Sequence, residues 1–417
     1  MGVELVYGWW VTDLLLDLLK LLPKDLQVPV VRVGHSWSLL FYEGSHQSLI
    51  MTGKETSTDW AREHAMSDEI KVLSLGAGFM GTLHAKAYEQ IEGVRNVGIV
   101  TRNYDSSEKL AGLLADDIPR FTDFEKALEA TSPDAVAIST YTDSHYHYVS
   151  TALDRGLDVF VEKPLAETIE QCQELFDLAN RVNRKLYVGY ILMTHPSWNQ
   201  FTEIAHELGK PLAMRMNLNQ QTKGEFYDTL YNIMQVQSPI VDCGVHYVDI
   251  MYQMAQSRPV RVHAIGCRNW DLVPEHICNY GQLQVEFEDG SVGWYEAGWG
   301  PMMSETAYFI KDIVGPAGSA SICPEKGRSD DKDHHVEANT IIRHYAEQQD
   351  KEFVREDEVI KIEEPDHDGL AVLEQQAFID CIRNDTDMSS HQDRVMTSLR
   401  IVFAADQSLQ TRQVVEL

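Results

Sequence analysis

From Lys71 onward the chain alternates short apolar runs with longer stretches of helical period. Residues 72–75 form an apolar run leading into glycines, and residues 82–91 carry a helical pattern. Strands are predicted at 97–100, 135–138, 158–161 and 186–188, with helices over 106–115, 123–130, 145–155 and 169–183 between them. Strands separated by helices of this length form βαβ units, which assemble into a doubly wound parallel sheet.

After Tyr190 the rhythm changes. Residues 211–221, 260–268, 280–287, 291–297 and 308–314 read as strands that follow one another with few helices between, and Asp289-Gly290 is a hairpin signal. One long helix is predicted over 240–254 and two more over 370–383 and 393–411. This describes an α+β domain with a largely antiparallel open sheet. The predicted organisation is therefore α/β, with an N-terminal extension at 1–68, a nucleotide-binding domain at 69–190 and an α+β substrate and oligomerisation domain at 191–417. The terminal helices are expected to pack partly back on the first sheet. Residues 325–333 read as a charged, solvated loop.

Residues 11–22 are rich in leucine, but Asp13, Asp17 and Lys20 interrupt the run and no basic segment precedes it. That pattern suits an amphipathic docking helix better than a signal peptide. No run of about 18 apolar residues is present, so no membrane span is expected. Composition narrows the partners. With 64 Asp and Glu against 35 Lys and Arg, the formal charge is −29, which disfavours nucleic acid and anionic lipid. Six scattered cysteines without a CxxC pair fit a reducing cytoplasm better than a disulfide scaffold or zinc ribbon.

The first chemical signal is Gly76-Ala-Gly78-Phe79-Met80-Gly81, a G-x-G-x-x-G turn placed between a predicted strand and a predicted helix. The first glycine permits the tight turn, the second lets backbone approach a pyrophosphate, and the third lets helix pack on strand. The helix N-terminus supplies N–H donors to the phosphates. The context marks a Rossmann dinucleotide site. At the end of the second strand stand Thr101 and Arg102 rather than a carboxylate; a 2′-phosphate is repelled by a carboxylate and attracted by arginine, which favours NADP over NAD.

Together with three further segments, that turn resembles the Gfo/Idh/MocA oxidoreductases. Thr140 to His145 stand where that family has a T-P-x-x-x-H loop, with Tyr141 replacing the proline. Glu162-Lys163-Pro164 resembles its E-K-P motif, and Asp242-x-Gly-x-His246-x-x-Asp249 its D-x-G-x-H-x-x-D helix. The resemblance covers nearly everything from Glu69 to Leu417. It implies Lys163, Asp242 and His246 as the catalytic set, Thr140, His145, Glu162 and Lys163 as cofactor contacts, and a homodimer or homotetramer formed through the second sheet. The residues agree: the spacing of Asp242, His246 and Asp249 places them on one helical face, and a histidine suits proton transfer from a secondary alcohol. Asp249 reads as structural and Cys243 as packing. No spacing among His145, His147, His334 and His335 gives converging metal ligands, so no metal is expected.

Where family members carry an Arg-Phe pair after the last Rossmann strand, this chain has no arginine. Tyr190, Met193 and His195 are candidates to line the substrate pocket instead, together with Asn217, Asn219, Gln221 and Trp299, polar groups with one aromatic that suit a polyol. The expected activity is hydride transfer between nicotinamide and a secondary alcohol or ketone of a sugar, sugar derivative or cyclitol. Two competing readings are a glycosidase that uses its cofactor for a transient oxidation and a non-catalytic dinucleotide sensor.

Overall fold

The apolar run after Lys71 is the central strand of a parallel sheet. The computed structural model describes residues 30–33, 36–39, 69–114, 117–224, 227–304, 310–323 and 338–417. Two units divide the chain, Met1–Asp68 and Glu69–Leu417. In the first, β1 (Val30–Val33) pairs antiparallel with β2 (Ser36–Leu39). The helix expected over 11–22, the loop over 325–333 and the His334-His335 pair lie outside the described residues.

In the second unit the elements run β3 (Ile70–Leu75), α1 (Phe79–Tyr88), β4 (Val94–Val100), α2 (Tyr104–Ala111), β5 (Arg120–Phe121), α3 (Phe124–Thr131), β6 (Ala135–Ile138), α4 (Thr142–Asp154), β7 (Asp158–Glu162), α5 (Ile169–Val182) and β8 (Leu186–Gly189). Their strands form a six-stranded sheet of order β5-β4-β3-β6-β7-β8, parallel throughout. Strands β6, β7 and β8 are buried along their whole length, as expected of a parallel sheet covered on both faces. The strand order reverses between β3 and β6, which opens the crevice where such sheets bind ligands. Side-chain caps start the helices: Asn103 accepts from Ser106 N, Asp123 from Lys126 N and Thr168 from Gln171 N.

Then follow α6 (Pro196–Glu207), β9 (Ala213–Gln221), α7 (Tyr227–Ile233), α8 (Pro239–Asp242), α9 (Gly244–Ala255), β10 (Pro259–Cys267), β11 (Tyr280–Phe287), β12 (Val292–Gly300), β13 (Lys311–Gly315), β14 (Gly318–Ile322), β15 (Thr340–Tyr345), the short pair β16 (Gln348–Gln349) and β17 (Glu352–Phe353), and β18 (Glu358–Lys361). The chain closes with α10 (His367–Arg383), α11 (Ser389–Thr411) and β19 (Val415–Glu416). A nine-stranded sheet of order β18-β15-β14-β13-β9-β12-β11-β10-β19 results. All its pairs are antiparallel except β9 with β12. The expected α/β class, parallel sheet first and mostly antiparallel sheet second, is what the structure shows. The helix expected over 240–254 is broken at Cys243 into α8 and α9, and helices α6 and α7 and strands β5 and β14 to β19 are additional.

One face of the nine-stranded sheet is apolar, through Met214, Met216 and Leu218 on β9 and Tyr295, Ala297 and Trp299 on β12. Helices α8, α9 and α11 cover it. Asp249 of α9, 1 % exposed, accepts two hydrogen bonds from Arg394 of α11 at 3.0 and 2.6 Å. His391 of the same helix accepts from Val188 N of β8 at 2.9 Å; burial, with the Arg394 charge added, pushes its imidazole down to about 3, which keeps it the neutral acceptor this bond needs. Helix α10 returns to the parallel sheet, where Phe378 and Ile379 pack with Val72, Tyr88 and Phe160.

Removing one member of a buried ion pair leaves the other charge uncompensated. Asp249→Ala is therefore expected to lower unfolding stability by about 3 kcal/mol, read as a drop in the urea midpoint. A midpoint shift below a third of that would mean that Arg394 finds water instead.

Candidate active site

The glycine turn sits at the crevice between β3 and β6. Gly76 has φ +101°, and a Cβ there would run into the Ser139 carbonyl at the end of β6; a Cβ at Gly81 would strike the Gly76 carbonyl. These two glycines are demanded by close backbone approach. Gly78 differs. It is exposed, its backbone is extended at φ −73°, and a Cβ would meet nothing within 4 Å. The space beside it is open, and α1 begins there with no side-chain cap and no acidic residue in its first turn. Phe79 and Met80 open that turn, half-buried. An uncapped helix N-terminus beside an open cradle fits a pyrophosphate.

The neighbouring groups complete the cleft. Thr101 ends β4, nearly buried, and its hydroxyl donates to the Asn103 carbonyl. Arg102 is exposed, with its guanidinium 5.8 Å from the Tyr141 ring centroid. Thr140 shares a 2.8 Å hydrogen bond with Ser144. His145 is wholly buried, its ring nitrogens 2.9 Å from the Pro164 carbonyl and 3.0 Å from that of Thr140. Burial pushes its imidazole down. It clamps the loop after β6 to the loop after β7 and offers no surface to a ligand, which corrects its expected part as a direct contact.

Lys163 leaves the end of β7 and reaches α8. Its ammonium donates to the Asp242 carboxylate at 2.7 Å and to the Asp242 carbonyl at 3.2 Å. Gln237 holds the other carboxylate oxygen at 2.8 Å. Burial alone lowers the Lys163 amine, but the Asp242 charge, reinforced by Glu162, outweighs it and raises the amine above its ordinary value. Lys163 is therefore charged at neutral pH. His246 lies in the first turn of α9, partly exposed, edge-on to Tyr190 at 5.7 Å. Burial and the Asp242 charge push the Cys243 thiol up, which leaves it a protonated packing group.

Several pocket candidates take other places. Tyr190 and Trp299 are 1 % exposed and His195 is fully buried. Tyr190 donates to or accepts from Ser398 at 2.9 Å behind His246, and His195 caps α6 by accepting from Ser197 N. These are supports, because a side chain sealed from water is sealed from a dissolved ligand. Met193 remains half-buried. Asn219 falls on the face of β9 away from the helices, where it donates to Glu296 at 2.8 Å. Alternation puts Gln220 on the helix side instead, its amide oxygen within 4.0 Å of the Cys243 sulfur. Only the strand register separates these neighbours, and it could not be read from composition.

A polar cluster not foreseen in the sequence lies directly behind Lys163. His84 of α1, Glu162 of β7 and Glu374 of α10 bring side-chain atoms within 4.8 Å of one another, all buried. His84 Nε2 is 2.7 Å from Glu162 Oε1. Its members come from three distant segments, so no local spacing reveals it.

Residues 70–190 match the model of an oxidoreductase family, NAD-binding Rossmann fold, and residues 204–417 match that family's C-terminal alpha/beta domain. An inositol 2-dehydrogenase of Klebsiella pneumoniae is 25 % identical over 186 residues, 44 % of this chain and 53 % of that protein. One from Pseudomonas fluorescens is 24 % identical over 319 residues, 75 % of this chain and 86 % of its own length. The chain thus spans about half the length of several of the inositol dehydrogenases it matches. Among solved structures, myo-inositol 2-dehydrogenase from Lactobacillus plantarum superposes with a TM-score of 0.67 at 18 % identity, covering 84 % of this chain and 99 % of that one. An Agrobacterium radiobacter oxidoreductase in complex with NAD+, L-tartaric acid and magnesium gives 0.69 at 14 % identity, covering 84 % and 98 %. Among the described residues no helix is long and apolar enough to cross a membrane.

Gly78→Val fills the open cradle without straining the backbone. It is expected to leave the melting temperature unchanged while weakening dinucleotide binding at least about tenfold, or 1.4 kcal/mol, by fluorescence titration. Unchanged binding would place the phosphates elsewhere.

Proposed function

We propose, from the premise that the chain belongs to this oxidoreductase family, that it is an NAD(P)-dependent dehydrogenase or reductase acting on a secondary alcohol or ketone of a sugar, sugar derivative or cyclitol. The observation that carries this reading is the Lys163–Asp242 contact, which joins the loop beside the nucleotide crevice to the helices of the second sheet. Gly76, Gly78, Phe79, Met80 and Gly81 would hold the pyrophosphate, Thr101 and Arg102 the adenosine ribose, and Thr140, Glu162 and Lys163 the nicotinamide side. The absence of a carboxylate at Thr101, with Arg102 exposed beside it, supports NADP over NAD.

When bound, the nicotinamide supplies the hydride acceptor or donor. The chain's own residues manage the proton. Two of the three ammonium protons of Lys163 go to Asp242, and the third hydrogen-bonds the reacting oxygen and stabilises its developing negative charge. His246 takes or returns the hydroxyl proton. The six cysteines are all unpaired, in keeping with a cytoplasmic setting. The outer face of the nine-stranded sheet exposes Ile265, Val292 and Val314, the surface for a homodimer or homotetramer.

A panel of aldoses, inositols and keto-sugars, with NAD and NADP in turn, should give a net change in nicotinamide absorbance for one member. Turnover of a glycoside without any net change would overturn the dehydrogenase in favour of transient oxidation. Lys163→Ala and His246→Asn should each lower kcat by about 10²–10⁴-fold, and Lys163→Ala should also lower the melting temperature because it leaves the buried Asp242 carboxylate uncompensated; a Lys163→Ala variant that kept full biological activity would point to a sensor. The acid partner has its own signature. Asp242→Asn removes the charge that raises Lys163 and leaves the burial that lowers it, so the alkaline fall of kcat should begin at lower pH than in the wild type. An unmoved alkaline limb would mean that Lys163 does not titrate in the reaction.

A further inference from the structure

We propose that Glu374 keeps its proton at neutral pH, so that Glu374 and Glu162 share a single negative charge behind Lys163 and Glu374 acts as a positioning residue for that amine. The role in positioning rests on the proposed function; the protonation does not.

The hydrogen bonds assign the charges. Tyr88 donates its hydroxyl to Gln375 Oε1, which orients the amide so that Gln375 Nε2 donates to His84 Nδ1 at 2.9 Å. The ring proton of His84 therefore sits on Nε2 and is donated to Glu162 Oε1 at 2.7 Å. A neutral imidazole satisfies each of these contacts. Glu162 accepts a second bond at its other oxygen from Lys163 N at 3.2 Å. With two donors and no donation of its own, Glu162 is the ionised member.

Glu374 has neither oxygen hydrogen-bonded to a protein group, and it is 1 % exposed. The polar groups around it are His84 and Tyr88 from α1, Glu162 from β7, Tyr187 from β8, and Gln375 on its own helix. Lys163, the cation that acts on Glu162, is engaged by Asp242. A second buried carboxylate here would lack a counter-charge, a penalty of several kcal/mol that a bound proton removes. Burial and the Glu162 charge both push Glu374 well above the carboxylate range. A divalent cation would balance the charge too, but it would need the Nε2 lone pair, reversing the His84 tautomer and the Gln375 amide. The observed bonds favour the proton.

The consequence falls on Lys163. An ionised Glu374 would repel Glu162, whose carboxylate holds the Lys163 backbone N–H. With the proton in place Glu162 keeps that bond, and the Lys163 amine keeps its contact with Asp242.

Glu374→Gln mimics the protonated acid. At pH 7 the infrared spectrum of the wild type should contain a buried carboxylic-acid C=O band that is absent from the variant. Stability gives a second reading. The folded-state value of Glu374 lies above its unfolded value, so its stabilising contribution is complete at acid pH and is lost as pH rises from the unfolded value toward the folded one. The ratio of variant to wild-type folding constants should therefore grow by up to about tenfold per pH unit between pH 5 and pH 8. Glu374→Met, apolar and of similar size, should show the same trend should the amide disturb folding. The ratio of kcat in Glu374→Gln to that in the wild type should rise with pH as the wild-type Glu374 ionises, below the alkaline limb set by Lys163, which a purely structural role would not do. The proposal is overturned by a missing infrared band, by a stability difference that is the same at every pH, or by one equivalent of divalent metal in the purified wild type that Glu374→Gln loses. If the substrate panel fails while the infrared and stability results hold, the proton assignment stands and the proposed activity falls.

Discussion

Lys163 and Asp242 lie 79 positions apart, and the 2.7 Å contact between them is the constraint around which the cleft is arranged. One partner is delivered by the last residues of a fully buried parallel strand, the other by a short helix over the second sheet. Burying two charges is expensive, and an apolar pair of similar volume often stabilises a fold as well or better. The pair is better understood as a positioning device than as glue. Gln237 on one carboxylate oxygen and the Asp242 carbonyl on the ammonium leave it a single arrangement. The break between α8 and α9 at Cys243 belongs to the same design, since it ends one helix at Asp242 and starts the next just before His246.

Motifs that depend on local backbone were legible in the sequence. Gly76 and Gly81 are dictated by carbonyls that leave no room for a Cβ, and such positions announce themselves as glycine wherever the fold occurs. The alternation of β3, β4, β6, β7 and β8 with helices was equally plain, because buried parallel strands are largely apolar, whereas the two-residue β5 carries no such signal. Asp249 read as structural, and Arg394 shows why.

What could not be read depends on register and on distance along the chain. Asn219 and Gln220 are neighbours of similar chemistry, and a period of two decides which meets Cys243 between α8 and α9. His145, Tyr190, His195 and Trp299 looked like ligand-binding residues because each has a polar atom. In the fold the two histidines meet backbone groups and Tyr190 meets Ser398. Their chemistry gave no hint of burial, which is a property of the tertiary packing. The His84–Glu162–Glu374 cluster is the extreme case, since positions 84, 162 and 374 come together only when α10 returns to the first sheet.

That return changes how Lys163 should be understood. Its side chain faces Asp242, and the preceding residue Glu162 is tied to His84, so the amine stands between two acidic residues. Such a group stays protonated through the neutral range, and in the proposed reaction it serves as a fixed donor and positive charge rather than as a base. Proton transfer then falls to a group whose charge can change, and His246 is the partly exposed candidate one turn along the adjoining helix. In the proposed reaction the division of labour follows from electrostatics: a lysine flanked by carboxylates cannot easily give up its proton, so it suits a fixed donor better than the group that exchanges protons with substrate.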